Sequence, residues 1–145
     1  MEWFTLKLYF PIVFKVYKPT HIPFTKKFLV ALPINSLGRR LIDFLALHKL
    51  DLIAGYELHD AKHLLLGYGV GFEDEIQLQY FELGNGNSSI PVWLVILLGT
   101  ALAPEFIPKF IKAYRRGKAC KAITPPVLLN NISTDLTQLR KHLLL

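Results

Sequence analysis

Cysteine is nearly absent from this sequence. Among 145 residues only Cys120 carries a thiol. That excludes an internal disulfide framework and any multi-cysteine metal site, and a reducing compartment is expected. Charge is sparse as well: 19% of residues are charged against 52% hydrophobic, a balance that excludes an intrinsically disordered chain. No G-x-S-x-G is present, so the nucleophile elbow of the α/β-hydrolases is missing, and Cys120 has lysines near it but no evident base. The GYGVG of residues 67–71 follows histidines on a predicted helix and has no strand ahead of it, which rules out a dinucleotide fingerprint. Zinc-finger spacing and an RNP-like motif are missing too, and the one dense basic run is strongly apolar. Nucleic acid is therefore not an expected partner.

Long apolar runs are also lacking. The longest, IPVWLVILLGTALAP at residues 90–104, holds about 15 residues where a membrane span wants about 20. It reads as a core helix or a helix at a hydrophobic subunit interface, with Ser88 or Ser89 as cap and Pro91 in the first turn. The opening residues, 1–19, are aromatic and basic, but Lys7, Lys15 and Lys18 break the apolar stretches and no small-residue cleavage site follows, so a secretory signal is not expected. Two readings stand for this segment. One is a short alternating strand; the other is a stretch lying in a membrane interface, with Trp3, Phe10, Phe14 and Tyr17 at headgroup level.

The length suits one compact domain. A mean hydropathy of +0.32 is more apolar than one small core needs, so some of these side chains should face a partner subunit, a lipid or a greasy ligand. The net charge of +6 is unevenly spread. Residues 1–49 hold eight Lys/Arg against two Asp/Glu, residues 50–82 hold seven acids against Lys62 alone, and residues 83–145 hold eight bases against two acids. An acidic centre between basic ends suggests that something positive is held there, while the basic surfaces suit anionic lipid headgroups or an anionic ligand.

Past the first thirty residues the periodicity is helical. Asn35 or Ser36 caps a helix whose apolar face is Leu37, Leu41, Phe44, Leu45 and His48, the histidine being a structural or capping one. A second helix is expected to start near Asp51 and run to the glycines at residues 67–71. A third covers FEDEIQLQYFEL, with Phe72, Glu75, Ile76, Gln79, Tyr80 and Leu83 on one buried side. After the apolar helix comes a basic one with Phe106, Phe110, Ile111 and Tyr114 inward and Lys109, Lys112, Arg115, Arg116 and Lys118 outward, closed by Pro125-Pro126. A last helix, begun at Thr134 or Asp135, carries Leu136, Leu139 and Leu143. The expectation is an all-α, single compact helical domain over residues 32–145, with a metal site between two helices. It is preceded by a variable segment over residues 1–31.

The stretch that carries chemistry is HDAKHLLLGYGVGFEDE. His59 and His63 are four apart and share one helix face, where two imidazoles can meet one ion. Asp60 sits about 100° further round the same helix and can join as ligand, base or outer partner. Glu75 follows the glycine turn on an otherwise apolar stripe. A carboxylate buried there needs a partner, and two metal-facing histidines would supply one. Two histidines with one or two carboxylates suit zinc, and also iron or manganese.

His59, Asp60, His63 and Glu75 fill H-D-x-x-H, eleven residues, then E. In this the chain resembles the coenzyme Q (ubiquinone) biosynthesis protein four family. LPINSLGRRLIDFL, HLLLGYG, AYRRGKA and STDLTQLRKHL resemble the family's flanking stretches, so the likeness covers most of the chain, from Leu32 to Leu143. Arg40 departs from it, standing where the family pattern has an aromatic residue. The resemblance implies a largely helical homodimer with a metal, usually zinc, held by those four residues. It also implies a peripheral membrane role, a channel for a polyprenyl tail, and work beside other quinone-biosynthesis enzymes. The reaction implied is oxidative decarboxylation and hydroxylation of a polyprenyl benzoate ring. A non-catalytic metal- and lipid-binding scaffold, and a metal-dependent hydrolase of a prenyl lipid, use the same residues. The expected location is a bacterial cytoplasm, peripheral to the inner membrane; in a eukaryote it is the matrix side of the mitochondrial inner membrane.

Overall fold

The computed structural model describes residues 22–145. Among them the chain is all-helical, with eight α-helices and no sheet, only an isolated bridge between Ser36 and Asp135. The strand or interface stretch expected in residues 1–19 lies outside the described residues. Contacts group the described chain into two compact units: residues 22–67 with Ala122–Leu145, and Tyr68–Lys121.

The first unit contains α1 (Lys26–Val30), α2 (Leu37–Leu47), α3 (Glu57–Leu66), α7 (Pro125–Asn130) and α8 (Leu136–Leu143). Ser36 caps α2 by accepting from the Arg39 amide at 3.3 Å. The remaining free donors at that helix start, which a helix cannot satisfy internally, go to the turn ahead of α8. Leu37 N donates to Thr134 O at 2.9 Å and Gly38 N to Ile132 O at 2.8 Å. Leu37, Leu41 and Leu45 are buried as the period required, and His48 ends the helix with its ring edge-on to Phe44. Asp135 caps α8 through the Thr137 and Gln138 amides, and Leu136, Leu139 and Leu143 point inward.

Two expectations in this unit are corrected, and one helix had no counterpart among them. Residues 26–30 are helical, with Leu29 buried and Thr25 accepting from Phe28 N. The histidine helix begins at Glu57, not near Asp51. Gly55 takes a left-handed φ of 90°, and its amide donates to the buried Glu57 carboxylate at 2.6 Å, which makes a turn where the period suggested helix. Pro125-Pro126 do not end the basic helix, which stops at Ala119. They open α7, where a missing amide N–H costs nothing in the first turn.

The second unit contains α4 (Phe72–Gly84), α5 (Ile90–Leu102), a 3-10 turn at Pro104–Phe106, and α6 (Ile107–Ala119). Ile76, Val95, Ala103 and Phe110 form its core, with Phe72, Tyr80 and Phe106 packed around them. α4 is buried on two sides rather than one: Ile76 and Gln79 as the stripe demanded, and also Leu78, Phe81 and Glu82. The second face exists because α6 lies against α4 almost backbone to backbone. A Cβ on Gly84 would run into the Tyr114 carbonyl oxygen, and one on Gly117 into that of Phe81. Asn85 locks the crossing by donating to Gly117 O at 3.0 Å and Lys121 O at 3.1 Å.

On α6, Phe110 is buried, but Ile111 stands 42% exposed, so it leaves the expected apolar face. Arg116 leaves the expected basic one: its guanidinium lies 5.6 Å from the Tyr68 ring centre and 5.9 Å from that of Phe81. No single helix among the described residues is long and apolar enough to cross a membrane. Only α5 and the segment Pro104–Ala119 taken together, bent by 106°, have the length and composition.

Candidate metal centre

Helix α3 presents its two histidines one turn apart. His63 is 3% exposed and His59 half-buried, and their Nε2 atoms stand 3.1 Å apart. The rings meet at 73° with centres 4.7 Å apart, and the edge-on ring of Tyr56 lies beside His59. With the imidazoles neutral, one nitrogen donates to the other. The same separation approaches the edge of a tetrahedron around a zinc-like ion, about 3.3–3.4 Å for bonds of 2.0–2.1 Å.

The third donor comes from the first turn of α4. One ligand atom from each of His59, His63 and Glu75 falls within 4.8 Å of the other two. Two imidazole nitrogens and a carboxylate converging at this range fit a divalent cation. Local fields favour it. Glu75 lies at the positive N-terminal end of α4, and His63 in the last turn of α3, whose negative end favours a cation. Both helix ends are fixed. Gly67 closes α3 in the left-handed conformation at φ 75°. Arg140 donates from Nε to Leu65 O at 2.8 Å and from Nη2 to Leu64 O at 2.7 Å. Gly71 N donates to Asp74 at the start of α4.

Of the four residues singled out from the motif, three converge. Asp60, half-buried on α3, is not among the converging group. The rest of the acidic block is largely employed elsewhere. Glu57 holds the Gly55 turn, Asp74 holds the start of α4, Glu73 pairs with Lys109 at 2.7 Å, and Glu82 accepts from Asn87. The block thus contains the whole cluster, but of its acids only Glu75 joins the histidines. Sequence reasoning placed Gln79 on the buried stripe without giving it a task. In the structure its amide donates to Glu75 Oε1 at 2.9 Å. Arg140, 75 residues from its acceptor Leu65, left no local signal.

Beyond the cluster, burial holds the Tyr68 hydroxyl above the ordinary phenol range, although a hydrogen bond from Arg116 and its charge pull the other way. Burial likewise raises the Cys120 thiol, against its own backbone hydrogen bond and the Arg116 charge. No protein-family model matches the chain, and no curated protein matches it.

Proposed function

We propose that this chain is a metal-dependent protein of quinone biosynthesis that binds a prenylated aromatic carboxylate and removes its carboxyl group. The observation that carries the reading is the convergence of His59, His63 and Glu75 within 4.8 Å. The motif those residues share with Asp60, which resembles that of the coenzyme Q biosynthesis protein four family, supplies the substrate class.

A divalent ion at this site, zinc by resemblance, supplies Lewis-acid polarisation of a carboxylate or phenolate. His59, His63 and Glu75 hold it. Asp60, next in sequence to His59 on α3, carries the proton that replaces carbon dioxide on the ring. That exchange needs no oxidant. Adding a hydroxyl at the same carbon consumes dioxygen and requires a redox-active ion, iron or manganese, because zinc has no redox chemistry.

The apolar tail has a surface to meet. Ile90, Trp93, Leu97, Leu98 and Leu102 are exposed along α5, and Lys112, Arg115 and Lys118 are exposed on α6. In this reading the apolar side takes a prenyl chain or a second copy of the chain, and the lysines and arginine meet anionic headgroups, each contributing about 1 kcal/mol. By the same resemblance the protein works at the inner face of a bacterial membrane, or the matrix face of the mitochondrial inner membrane; the exposed residues of α5 and α6 support contact with a membrane surface.

Elemental analysis of anaerobically purified protein, with copurified lipid identified by mass spectrometry, tests the proposal. One divalent ion per chain together with a prenylated aromatic acid is expected. An ion without any such lipid would favour a scaffold whose metal only fixes two helices. Metal content no higher than that of a His59→Ala, His63→Ala double variant would end the reading.

A further inference from the structure

Gln79 is 8% exposed on a side of α4 otherwise lined by Phe72, Ile76, Tyr80 and Leu83. A primary amide in such surroundings is costly unless it is hydrogen-bonded. Its partner is Glu75 Oε1, 2.9 Å from Gln79 Nε2. The pair is four residues apart on one helix, so α4 itself fixes the spacing. Only the NH₂ side of the amide can face a carboxylate, which settles which end of Gln79 donates.

We infer that Gln79 is a positioning residue for the metal ligand Glu75: by holding Oε1 it fixes the carboxylate plane, so that the ion is met through one oxygen. The inference rests on the metal reading of the His59, His63 and Glu75 cluster. Single-oxygen binding keeps the coordination number low and leaves a position for a substrate oxygen. A carboxylate able to rotate would bind through both oxygens and fill that position. Outer partners of this kind change metal affinity by about 10–100-fold when removed.

The helix carries its own control. Gln77 donates to Glu73 Oε1 at 3.2 Å, the same four-residue pair on the same helix with no member in the cluster.

The experiment loads the full chain, as wild type, Gln79→Met and Gln77→Met, with cobalt(II) in place of the native ion. Affinity is read by chelator competition and geometry by the visible d–d bands. Methionine keeps the length of glutamine and removes the donor. Wild type and Gln77→Met should bind one ion per chain with the same spectrum. Gln79→Met should bind about 10–100-fold more weakly, with the weaker bands of a higher coordination number and an unchanged metal-free melting temperature. Equal affinity and spectra for Gln79→Met and wild type would overturn the assignment while leaving the metal site standing. A wild type that takes up no cobalt would overturn both. Should Gln79→Met fail to fold, infrared difference spectra of the wild type on ion addition decide: the wide carboxylate splitting of one-oxygen binding supports the role, and a narrow two-oxygen splitting contradicts it.

Discussion

A separation of 3.1 Å between two imidazole nitrogens is the residue-scale fact on which the reading turns, and it makes the two histidines equal partners despite their unequal burial. Replacing either with alanine removes one of three donors. His59→Ala and His63→Ala should each weaken zinc binding by at least about 100-fold, as read by competition with a chromogenic chelator. Asp60→Asn should spare binding and affect turnover, since its carboxylate lies outside the converging group. Equal loss of metal from Asp60→Asn and His63→Ala would make Asp60 a ligand. Cys120 offers a pH test. Its thiol is raised by burial, so the folded protein holds the proton more tightly and has less thiolate at pH 8 than a free cysteine. Alkylation at that pH should be slower than that of a small thiol and should accelerate at a higher pH than the small thiol does. Unfolding in denaturant should abolish the difference.

The pairing of His59 and His63 was legible at this scale because four-residue spacing on a helix is a local property. Glu75 was legible because it interrupts an apolar stripe. The task of Gln79 was hidden only by the bland reading of an amide on that stripe.

Helices whose faces follow a simple period were readable, and those held by long-range backbone contact were not. α2 and α8 buried the leucines that the period named. α4 did not stop at one face, because Gly84 and Gly117 let α6 approach until backbone meets backbone. Nothing in the local pattern of FEDEIQLQYFEL reports a glycine more than thirty residues away. Gly117→Ala places a methyl against a carbonyl that cannot swing aside, so a loss of about 3 kcal/mol is expected in urea unfolding. A stability unchanged within error would mean that α4 and α6 are further apart than described. At the end of α3, Arg140→Met removes two charge-assisted bonds to Leu64 O and Leu65 O, at a cost of about 2 kcal/mol. If Arg140 anchors the histidine helix, the same variant should also weaken metal binding. The mis-set start of α3 has a definite cause: a buried Glu57 carboxylate holding the Gly55 amide reads in sequence as one more helical residue.

For the molecule as a whole, the excess of apolar residues resolves into an inner and an outer population along α5. Ile96 is 5% exposed and belongs to the core, whereas Leu97 is 63% exposed beside Trp93 and Leu98. Aspartate at the two positions should therefore act differently. Ile96→Asp should fail to fold, because it buries an unpaired charge. Leu97→Asp should melt near the wild-type temperature and, if α5 takes a prenyl chain or a second copy as proposed, lose that occupant, checked by light scattering and by mass spectrometry of extracted lipid. A Leu97→Asp protein that keeps both would remove α5 from the functional account. The chain-wide charge pattern was legible and pointed to the right stretch, since His59, His63 and Glu75 all fall within residues 50–82, but it did not single out which acid takes part. Most acids of the central block serve turns, helix starts and ion pairs, and Glu75 alone joins the histidines.

One divalent ion is expected among His59, His63 and Glu75. Anomalous diffraction from a crystal of anaerobically purified protein, recorded on both sides of the absorption edge of the element found in it, tests that expectation most directly. A single strong peak is expected within about 2.0–2.2 Å of an Nε2 atom of each histidine and of a Glu75 oxygen. No peak among those three side chains, or a peak elsewhere with His59 Nε2 still hydrogen-bonded to His63 Nε2, would contradict it.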